Sequence, residues 1–406
     1  MKTENVDVLV IGAGPSGAVA ASILHQNGIK VKVVEKQKFP RFVIGESLIP
    51  RCMENFDEAG FIEGVLKKGF EKKTGARFLR GDEVCNFDFS QKFSEGWDWT
   101  WQLPRAEFDK TLTDILESRG VDIEFETGVE NVVFNGTESL TTVSNAEGTK
   151  QIHAKFIIDS SGYGRVLPRL LDLDAPSSLE PMSAIFVHLK DKRRPEGVEG
   201  TQITFDILSQ KNWFWVIPFS ENISSLGLVS PKEYLESIDT GDNAKTFQKI
   251  ISQSDYYKER FEGLEFLFEP KKIVSYSAAV KKLYGPGYSL TGNSAEFLDP
   301  VFSSGVCFAS ESGALSAKLA IRQLRGESVD WEKEYEEYIM EGVSVFRSYV
   351  KTWYTGELQR LFFHPEVNED VRRKLCSVLA GYVWDKENPF VSKHDRAVQA
   401  IAHVLT

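Results

Sequence analysis

The sequence has few cysteines and no cysteine pair with the spacing of a metal site or a redox dithiol. Its 406 residues include four cysteines, and these lie far apart in the chain. They are Cys52, Cys85, Cys307 and Cys376. Since zinc sites and redox dithiols use closely spaced cysteines, this distribution argues against both and predicts four reduced thiols.

The sequence also lacks an excess of positive charge and a long apolar run. A formal net charge of -11 argues against nucleic acid and anionic membrane surfaces as partners. The N-terminal segment MKTENVDVLVIGAGPSG has acidic residues before an apolar run that glycine and proline then break, which predicts neither a signal peptide nor a membrane span. No later run is long enough to cross a bilayer. We therefore expect a soluble, cytoplasmic protein without an integral membrane segment.

The order of patterns along the chain predicts two sheets and a helical C-terminal region. The start reads as strand, glycine-rich turn, helix and strand, and a meander of short strands begins at VDIEFETG. Residues 182–268 are mostly strand-like, which predicts a separate sheet. Beyond Trp331 the pattern turns helical, and aromatic residues at helical spacing indicate packing rather than a cofactor site. These aromatic residues are Tyr335, Tyr338, Phe346, Tyr349 and Trp353.

The clearest motif is GAGPSG, which follows the first β-branched strand. Gly12 permits a sharp turn, Gly14 lets the backbone approach a pyrophosphate, and Gly17 lets the helix pack closely on the strand. The start of that helix offers free N–H groups and a partial positive charge to phosphates. Glu35 ends the second strand, where an acid accepts hydrogen bonds from the adenosine ribose. A purely structural glycine turn would leave Glu35 unexplained, so the pattern predicts a dinucleotide site.

Later motifs resemble those of FAD-dependent halogenases, geranylgeranyl reductases and aromatic hydroxylases. KFPRFVIGESLIP resembles their flavin-contacting loop, QLPRAEFD a conserved flavin-domain segment, and DSSG their internal D-x-S-G turn. LTGNSAEFLDPVFSSGV resembles their second flavin motif. The resemblance runs from residue 6 to residue 313 in the family's order and implies FAD as the cofactor. The implied cofactor-binding residues are Gly12, Gly14, Pro15, Ser16, Gly17, Glu35, Lys36, Arg41, Glu46, Ser47, Arg105, Val129, Asp159, Gly292, Asn293, Asp299, Gly305 and Val306.

The resemblance also implies the architecture. The expected fold class is α/β (α+β): a Rossmann-like FAD-binding domain of the aromatic-hydroxylase type, with an inserted β-sheet substrate domain and a C-terminal helical segment. We expect the first part of the FAD-binding domain at 1–181, with a substrate-side strand near 84–103. The substrate sheet should follow at 182–270, the second part of the FAD-binding domain at 271–330, and the helical region at 331–406.

One position departs from the family pattern. The family usually has Gly-Asp-Ala where this chain has Gly292, Asn293 and Ser294. Asn293 can hydrogen-bond a cofactor, but its amide carries no negative charge. We therefore expect FAD binding to be retained and the redox balance of the flavin to differ.

Residues 213–218, WFWVIP, match the WxWxIP signature of flavin-dependent halogenases. In a strand, Trp213, Trp215 and Ile217 share one face, and we expect them to border the substrate pocket together with Pro218. A wall of indoles would keep an aromatic substrate away from the oxygen-activating flavin. From the residues alone, core packing is the commoner fate of strand aromatics. The match over the whole signature favours the pocket.

Lys73 lies in the segment GFEKKTGA, which resembles the halogenase segment that carries an essential lysine. The resemblance implies that reduced FAD, oxygen and halide give a hypohalous acid that this lysine holds or converts to a haloamine. A free amine requires a pKa that burial has depressed. The alternative is that the lysine-rich stretch is solvated surface, which we expect for Lys72.

The loop PVFSSG precedes a predicted helix and carries the expected halide site. In the family, backbone N–H groups at the positions of Ser304 and Gly305 hold the halide, and consecutive N–H groups at a helix start form an anion nest. The same nest would stabilise a flavin carbonyl in any relative. Phe302 is a predicted pocket residue that stands where tryptophan halogenases have a glutamate, so free tryptophan is disfavoured as substrate.

Three alternating tryptophans form a further aromatic group. Trp97, Trp99 and Trp101 would share one face of a strand. Trp99 and Trp101 are candidates for an aromatic wall of the substrate pocket, and structural cover of the sheet is an equal alternative.

These observations lead to one principal hypothesis and two alternatives. The principal one is a halogenase-like enzyme that uses FAD, oxygen and chloride or bromide on a phenol or pyrrole, which a carrier protein could present. A single nucleotide motif implies that a separate flavin reductase, or transient NAD(P)H, supplies reduced FAD. The first alternative is a monooxygenase or a geranylgeranyl-reductase-like dehydrogenase on the same scaffold. The second is a flavoprotein that serves as a redox sensor or partner-binding module.

Overall fold

The computed structural model describes residues 3–274 and 277–404 as a mixed α/β fold. The strands are β1 (Thr3–Ile11), β2 (Val31–Val34), β3 (Glu71–Lys73), β4 (Gly75–Arg80), β5 (Glu83–Asp88), β6 (Thr100–Gln102), β7 (Asp122–Glu124), β8 (Gly128–Asn135), β9 (Glu138–Asn145), β10 (Gly148–Asp159), β11 (Asp174–Ala175), β12 (Met182–Lys190), β13 (Ile203–Ile207), β14 (Trp213–Pro218), β15 (Ile223–Pro231), β16 (Lys271–Val274), β17 (Ala279–Val280), β18 (Tyr284–Gly285) and β19 (Tyr288–Leu290). The α-helices are α1 (Pro15–Gln26), α2 (Cys52–Glu58), α3 (Ile62–Leu66), α4 (Arg105–Ser118), α5 (Val166–Leu170), α6 (Val198–Thr201), α7 (Lys232–Ile238), α8 (Asn243–Ile251), α9 (Asp255–Phe261), α10 (Gly305–Leu324), α11 (Tyr338–Tyr354), α12 (Glu357–Phe363), α13 (Glu369–Leu379), α14 (Pro389–Ser392) and α15 (His394–Val404).

The first sheet has the order β18-β19-β10-β1-β2-β7 and is parallel except at β18, with β9 and β8 continuing from the β10 strand as an antiparallel pair. At its centre, Val10 pairs with Ile158 on one side and Val33 on the other. Central strands of parallel sheets are buried on both faces and read as apolar runs, as β1 and β2 do. Helices α1 and α10 pack on this sheet and begin at its carboxyl edge, so the sequence-predicted Rossmann-like unit is confirmed.

The second sheet has seven strands in the order β16-β12-β15-β14-β13-β4-β5. Its β4 and β5 strands come from the first third of the chain, and β13 pairs with β4 in parallel. The β16 strand pairs with β12, so the sheet extends to residue 274 and the predicted boundary at 270 is four residues short. The predicted strand near 84–103 is two elements: β5 joins this sheet, while β6 pairs with β3 in a separate ribbon.

The outer face of the second sheet carries three helices that the strand-like interpretation of residues 182–268 missed. Phe214 and Val216 of β14 point outward and pack with Phe247 of α8 and Tyr257 of α9 in a second apolar cluster. Because successive strand residues face opposite sides, Trp213 and Trp215 point inward to the first sheet.

The C-terminal region is helical, as predicted. Four members of the aromatic stripe are buried in the main core, and Tyr338 is partly buried against Trp384 with parallel rings 5.2 Å apart. The prediction that this stripe serves packing is confirmed. Among the described residues no helix has both the length and the apolar character of a membrane span.

Candidate functional site

A cleft of about 610 Å³ lies between the two sheets. One end is formed by the carboxyl edge of the parallel sheet, where Gly12, Glu35 and Ser160 line the wall. The other end is formed by Trp213 and Trp215 of the second sheet. In open parallel sheets ligands bind outside the carboxyl ends of the strands, and this cleft occupies that position.

The glycine motif brings the backbone of β1 and α1 into very close contact. Gly12 has φ +99°, and a Cβ atom there would lie 2.5 Å from the Ser160 carbonyl oxygen. A Cβ atom on Gly17 would lie 2.0 Å from the Gly12 carbonyl oxygen. Gly12, Gly14, Pro15 and Ser16 line the cleft, whereas Gly17 packs the helix against the strand, the role expected for the third glycine.

Glu35 lies on the cleft wall directly after β2, and Lys36 follows it there. The Glu35 carboxylate accepts hydrogen bonds from the backbone N–H groups of Ala13 and Gln37, both at 2.9 Å. These bonds fix the side chain beside the glycine turn, and the carboxylate retains lone pairs for a further donor.

Two arginines of the cleft wall share one buried carboxylate. Asp109 accepts two bonds from Arg105, at 2.8 and 3.0 Å, and one from Arg41, at 2.8 Å. Arg105 and Asp109 lie one turn apart on α4, and the Asp109 side chain is fully buried. Sequence reasoning identified both arginines and missed Asp109, although its i+4 spacing from Arg105 is a usable signal.

Gly45, Glu46 and Ser47 form a turn, here called the GES turn, where the two sheets meet. The side chains of Glu46 and Ser47 have different partners. Glu46 Oε1 lies 2.5 Å from His188 Nε2 on β12. Ser47 Oγ accepts a 2.8 Å bond from Lys73 Nζ, and Leu48 O accepts a second at 2.7 Å. Ser47 also pairs with Gln102 of β6, the strand that pairs with β3. This ribbon places Lys73 against the GES turn.

Lys73 is only 1% exposed. It lies behind Ser47, which lines the cleft, and its Nζ is 5.6 Å from the centre of the Phe89 ring. Desolvation lowers the pKa of Lys73 to about 7, and the nearby Cys52 opposes this shift weakly. The depressed pKa expected from burial is therefore present, while Lys72 is exposed, as predicted, with its Nζ 4.8 Å from the Trp99 ring.

The second flavin segment places four predicted residues on the wall, namely Gly292, Asn293, Gly305 and Val306. Asp299 is not among the residues that line the cleft. Its carboxylate accepts hydrogen bonds from Val301 N–H at 3.0 Å and from the Tyr354 hydroxyl at 3.0 Å. Ser304 is buried at the start of α10, and Gly305 carries the exposed edge of the expected halide loop.

Two other predicted cofactor residues are away from the wall. Asp159 is fully buried, and its carboxylate accepts backbone bonds from Ser161 at 2.9 Å and Leu167 at 2.7 Å. Burial raises the pKa of Asp159. Asp159 holds the turn that follows it, and the residues of that turn line the cleft, namely Ser160, Ser161 and Gly162. Val129 lies on β8, outside the residues that line the cleft.

The aromatic wall consists of Trp213, Trp215 and Ile217, as the alternation predicted. The Trp215 ring lies over Gly227 of β15, where a Cβ atom would come within 2.1 Å of the ring. Trp215 Nε1 donates to Ser225 Oγ at 3.1 Å, which fixes the indole.

The other predicted pocket residues do not line the cleft. Phe302 packs in the core against the rings of Phe346, Tyr349 and Trp353. Trp99 and Trp101 stack edge to face on the β3–β6 ribbon, and only residues 100–102 of that run are a strand. Pro218 ends β14, and its carbonyl accepts from Gln102 Nε2 at 2.8 Å.

Sequence reasoning also missed a link between the C-terminal helices and the aromatic wall. Trp213 Nε1 donates to the Tyr354 hydroxyl at 3.1 Å, and that hydroxyl donates to Asp299 Oδ2. Burial raises the pKa of Tyr354 well above its ordinary value. Tyr354 thus connects the aromatic wall, 141 residues away in the sequence, to the second flavin segment, 55 residues away.

The wall has the features that FAD requires. A Cβ atom on Gly14 would extend toward Arg41 Nη2, 3.6 Å away on the cleft wall, so glycine at this position keeps the backbone accessible from the cleft. Glu46 lines the cleft, and its buried Oε2 has no hydrogen-bond partner among the described residues. Polar and charged groups dominate one end and aromatic rings the other, which suits a nucleotide joined to a flat ring system.

Comparison with known proteins gives concordant matches. A model of the FAD binding domain family matches residues 5–253. The chain is 28% identical over 395 residues to the 1H-pyrrole-2-carbonyl-(peptidyl-carrier protein) brominase of Pseudoalteromonas luteoviolacea, covering 95% of this chain and 94% of that protein. It is 28% identical over 415 residues to the corresponding chlorinase of Pseudomonas fluorescens, covering 95% and 91%.

A solved structure described as a flavoprotein/dehydrogenase from Cytophaga hutchinsonii is 52% identical. It superposes with a TM-score of 0.97 and covers 99% of each chain. These matches confirm the resemblance on which the sequence predictions rest.

Proposed function

Because the chain belongs to the FAD binding domain family and is an FAD-dependent oxidoreductase related to the flavin-dependent halogenases, we propose that it halogenates an electron-rich aromatic ring. The co-substrates are reduced FAD, oxygen and chloride or bromide. The proposed substrate is a phenol or pyrrole, free or carrier-bound, and the names of two relatives, which specify a pyrrole carbonyl group on a carrier protein, support the carrier-bound pyrrole.

The cofactor-binding role of the wall follows from its chemistry. Gly12, Gly14 and Ser16 would receive the pyrophosphate at the start of α1, and Glu35 would accept from the ribose. Asn293 and Gly305 would border the flavin ring at the other end. When bound in its reduced form, FAD supplies the electrons that activate oxygen, and a separate reductase would regenerate it.

Lys73 carries the proposal. A buried lysine with a pKa near 7 exists as both ammonium and amine at neutral pH. The ammonium can donate a hydrogen bond to a hypohalous acid, whereas the amine can form an N–halogen bond as the O–halogen bond breaks, its proton leaving with the hydroxyl as water. Its two acceptors, Ser47 Oγ and Leu48 O, hold the nitrogen beside the cleft. The start of the 20-residue α10 helix, at Ser304 and Gly305, would hold the halide.

The aromatic wall supports a flat substrate. Trp213 and Trp215 are buried and fixed by hydrogen bonds from their indole nitrogens, so they provide rigid ring faces. Ile217 completes the same face of β14. A rigid wall would hold the substrate near Lys73 while it separates the ring from the flavin.

The test compares Lys73→Met with Lys72→Met, a neighbouring exposed lysine. Chemically reduced FAD, oxygen and bromide are supplied to the holoprotein with a phenol or pyrrole-2-carboxamide, and brominated product is measured by mass spectrometry. We expect Lys73→Met to lose at least about a hundredfold in product formation, the scale of loss typical for a positioned proton-transfer or nucleophilic group. FAD should remain bound.

Lys72→Met should be active, because its ammonium lies on the surface. Equal product from Lys73→Met and the unchanged protein would remove Lys73 from the chemistry. Oxygenated product without bromine would contradict halogenation and support a monooxygenase instead.

A second candidate is a dehydrogenase or reductase of the same scaffold. The observation that favours it is the 52% identity to a protein described as a flavoprotein/dehydrogenase. Such an enzyme would oxidise or reduce its substrate without halide, and FAD would change redox state when oxygen is excluded. Anaerobic bleaching of oxidised FAD by a substrate separates this candidate from the halogenase.

A further inference from the structure

Glu46 lines the cleft, and one oxygen of its buried carboxylate has a hydrogen-bond partner while the other has none among the described residues. Its side chain is only 1% exposed. Oε1 lies 2.5 Å from His188 Nε2, and against a carboxylate the ring nitrogen is the donor. Oε2 has no partner among the described residues. Leaving a buried acceptor unsatisfied costs about 1–3 kcal/mol, so a donor is expected at this oxygen.

The His188 ring has phenylalanine rings around it and forms a hydrogen bond with Glu46. It lies on β12 of the second sheet, and its ring contacts Phe42, Phe219 and Phe268, with ring centres 5.7, 5.3 and 4.9 Å away. These apolar rings offer no strong acceptor, so the bond to Glu46 determines the orientation of the imidazole. The bond crosses from the GES turn to a strand 142 residues away.

The polar neighbours of Glu46 already have other partners. Lys73 Nζ donates to Ser47 and Leu48. Arg105 donates two bonds to Asp109. The missing donor at Glu46 Oε2 is therefore best supplied by a molecule that enters the cleft.

We infer that His188 is a positioning residue that holds Glu46 so that its Oε2 accepts a hydrogen bond from the N–H or O–H group of a flat aromatic ring bound in the cleft. Two molecules carry this chemistry: the isoalloxazine ring of FAD, through its imide N–H, and a pyrrole or phenol substrate. The first source depends only on FAD binding, and the second rests on the proposed function.

Three variants test the inference. Glu46→Gln removes the carboxylate, His188→Leu removes the donor, and His188→Gln retains an N–H group near the position of Nε2. The order of the two His188 variants is informative. Leucine packs better than glutamine among the three phenylalanines, so a merely structural His188 predicts that the leucine variant is the less damaged. A positioning role predicts that glutamine rescues.

Binding is measured separately for the two sources. The Kd for FAD and the FAD absorption spectrum are determined first, and then the Kd for phenol and pyrrole-2-carboxamide from their perturbation of that spectrum. Loss of a charge-assisted hydrogen bond corresponds to about a tenfold or greater rise in Kd. We expect this rise in Glu46→Gln and His188→Leu, with His188→Gln close to the unchanged protein.

The pattern of outcomes is decisive. A rise in the FAD Kd with a spectral shift identifies the cofactor as donor, while an unchanged FAD Kd with weaker phenol or pyrrole-2-carboxamide binding identifies the substrate. Unchanged binding of FAD and both probes, or a glutamine variant worse than the leucine variant, overturns the inference. Because binding is measured without turnover, absence of halogenated product would contradict the proposed function and leave this result intact.

Discussion

The two ends of the cleft are built in different ways. The nucleotide end is a backbone construction, in which Gly12 and Gly17 bring β1, α1 and the Ser160 turn into contact. The aromatic end is a side-chain construction, in which Lys73, Trp213 and His188 are each held by hydrogen bonds to distant segments. The close backbone contacts at Gly12 and Gly17 leave no room for a Cβ atom. A side-chain network can accept substitutions, and these can change the reaction that the site supports. Under the proposed function, the first end would bind the nucleotide and the second would determine which reaction its flavin performs.

The largest expected effect comes from breaking the backbone end. Gly12→Ala places a Cβ atom 2.5 Å from Ser160 O at φ +99°, and we expect no stable holoprotein. Gly28→Ala is the matched control, because Gly28 also has positive φ, +75°, but nothing lies within 4 Å of the added atom. It should lose only about 1 kcal/mol of unfolding free energy. FAD content and thermal unfolding check both, and equal losses would refute the close-contact account.

A smaller effect is expected where side chains support the nucleotide end. Asp109→Asn removes the charge that both Arg41 and Arg105 contact, and breaking a buried ion pair costs about 3–5 kcal/mol. We expect lower thermal stability and weaker FAD binding. Asp114→Asn on the same helix removes only an exposed pair with Lys110 and should change stability by at most about 0.5 kcal/mol. Retention of full stability and FAD affinity by Asp109→Asn would contradict this role.

The smallest effect concerns the aromatic end and depends on pH. Burial lowers the pKa of Lys73 to about 7 in the folded protein, whereas its pKa in the unfolded chain is about 10.5. Between these values the unfolded state binds more protons, so the stability contribution of Lys73 rises with pH and is lowest below pH 7. Relative to Lys73→Met, the unchanged protein should gain about 2–3 kcal/mol between pH 7 and 9.

Thermal unfolding of the apo forms at several pH values measures this gain. Lys72→Met should show no comparable pH-dependent difference, because its side chain is exposed. A stability difference between Lys73→Met and the unchanged protein that is constant over this range would show that Lys73 keeps an ordinary pKa.

The comparison also explains which features the sequence predicts. Gly12, Glu35 and the Trp213–Ile217 face follow from spacing within one strand or turn, and the structure places them on the wall. The three helices between 232 and 261 were missed, although Asp242 and Ser254 cap α8 and α9 with their side chains. Asp and Ser are favoured N-cap residues, so both caps are local signals for a helix start in the sequence.

Other features depend on contacts between distant segments. The Glu46–His188 bond spans 142 residues, and the Trp213–Tyr354 bond spans 141. No periodicity in one chain specifies such pairs. Phe302 was assigned to the pocket because of its place in a motif, yet packing against α11 decides its position. The motif likewise predicts Asp159 as a cofactor residue, and its position is determined by the bonds that it accepts within the turn that reaches the cleft.

The most direct test of the proposed function is the reaction of the reduced holoprotein with oxygen in the presence and absence of bromide. The return of oxidised-FAD absorbance is followed by stopped flow, and products are analysed by mass spectrometry with a phenol or pyrrole present. We predict that bromide accelerates FAD reoxidation and that brominated product forms in the unchanged protein but not in Lys73→Met. Reoxidation indifferent to bromide, with no brominated product, would contradict the halogenase account.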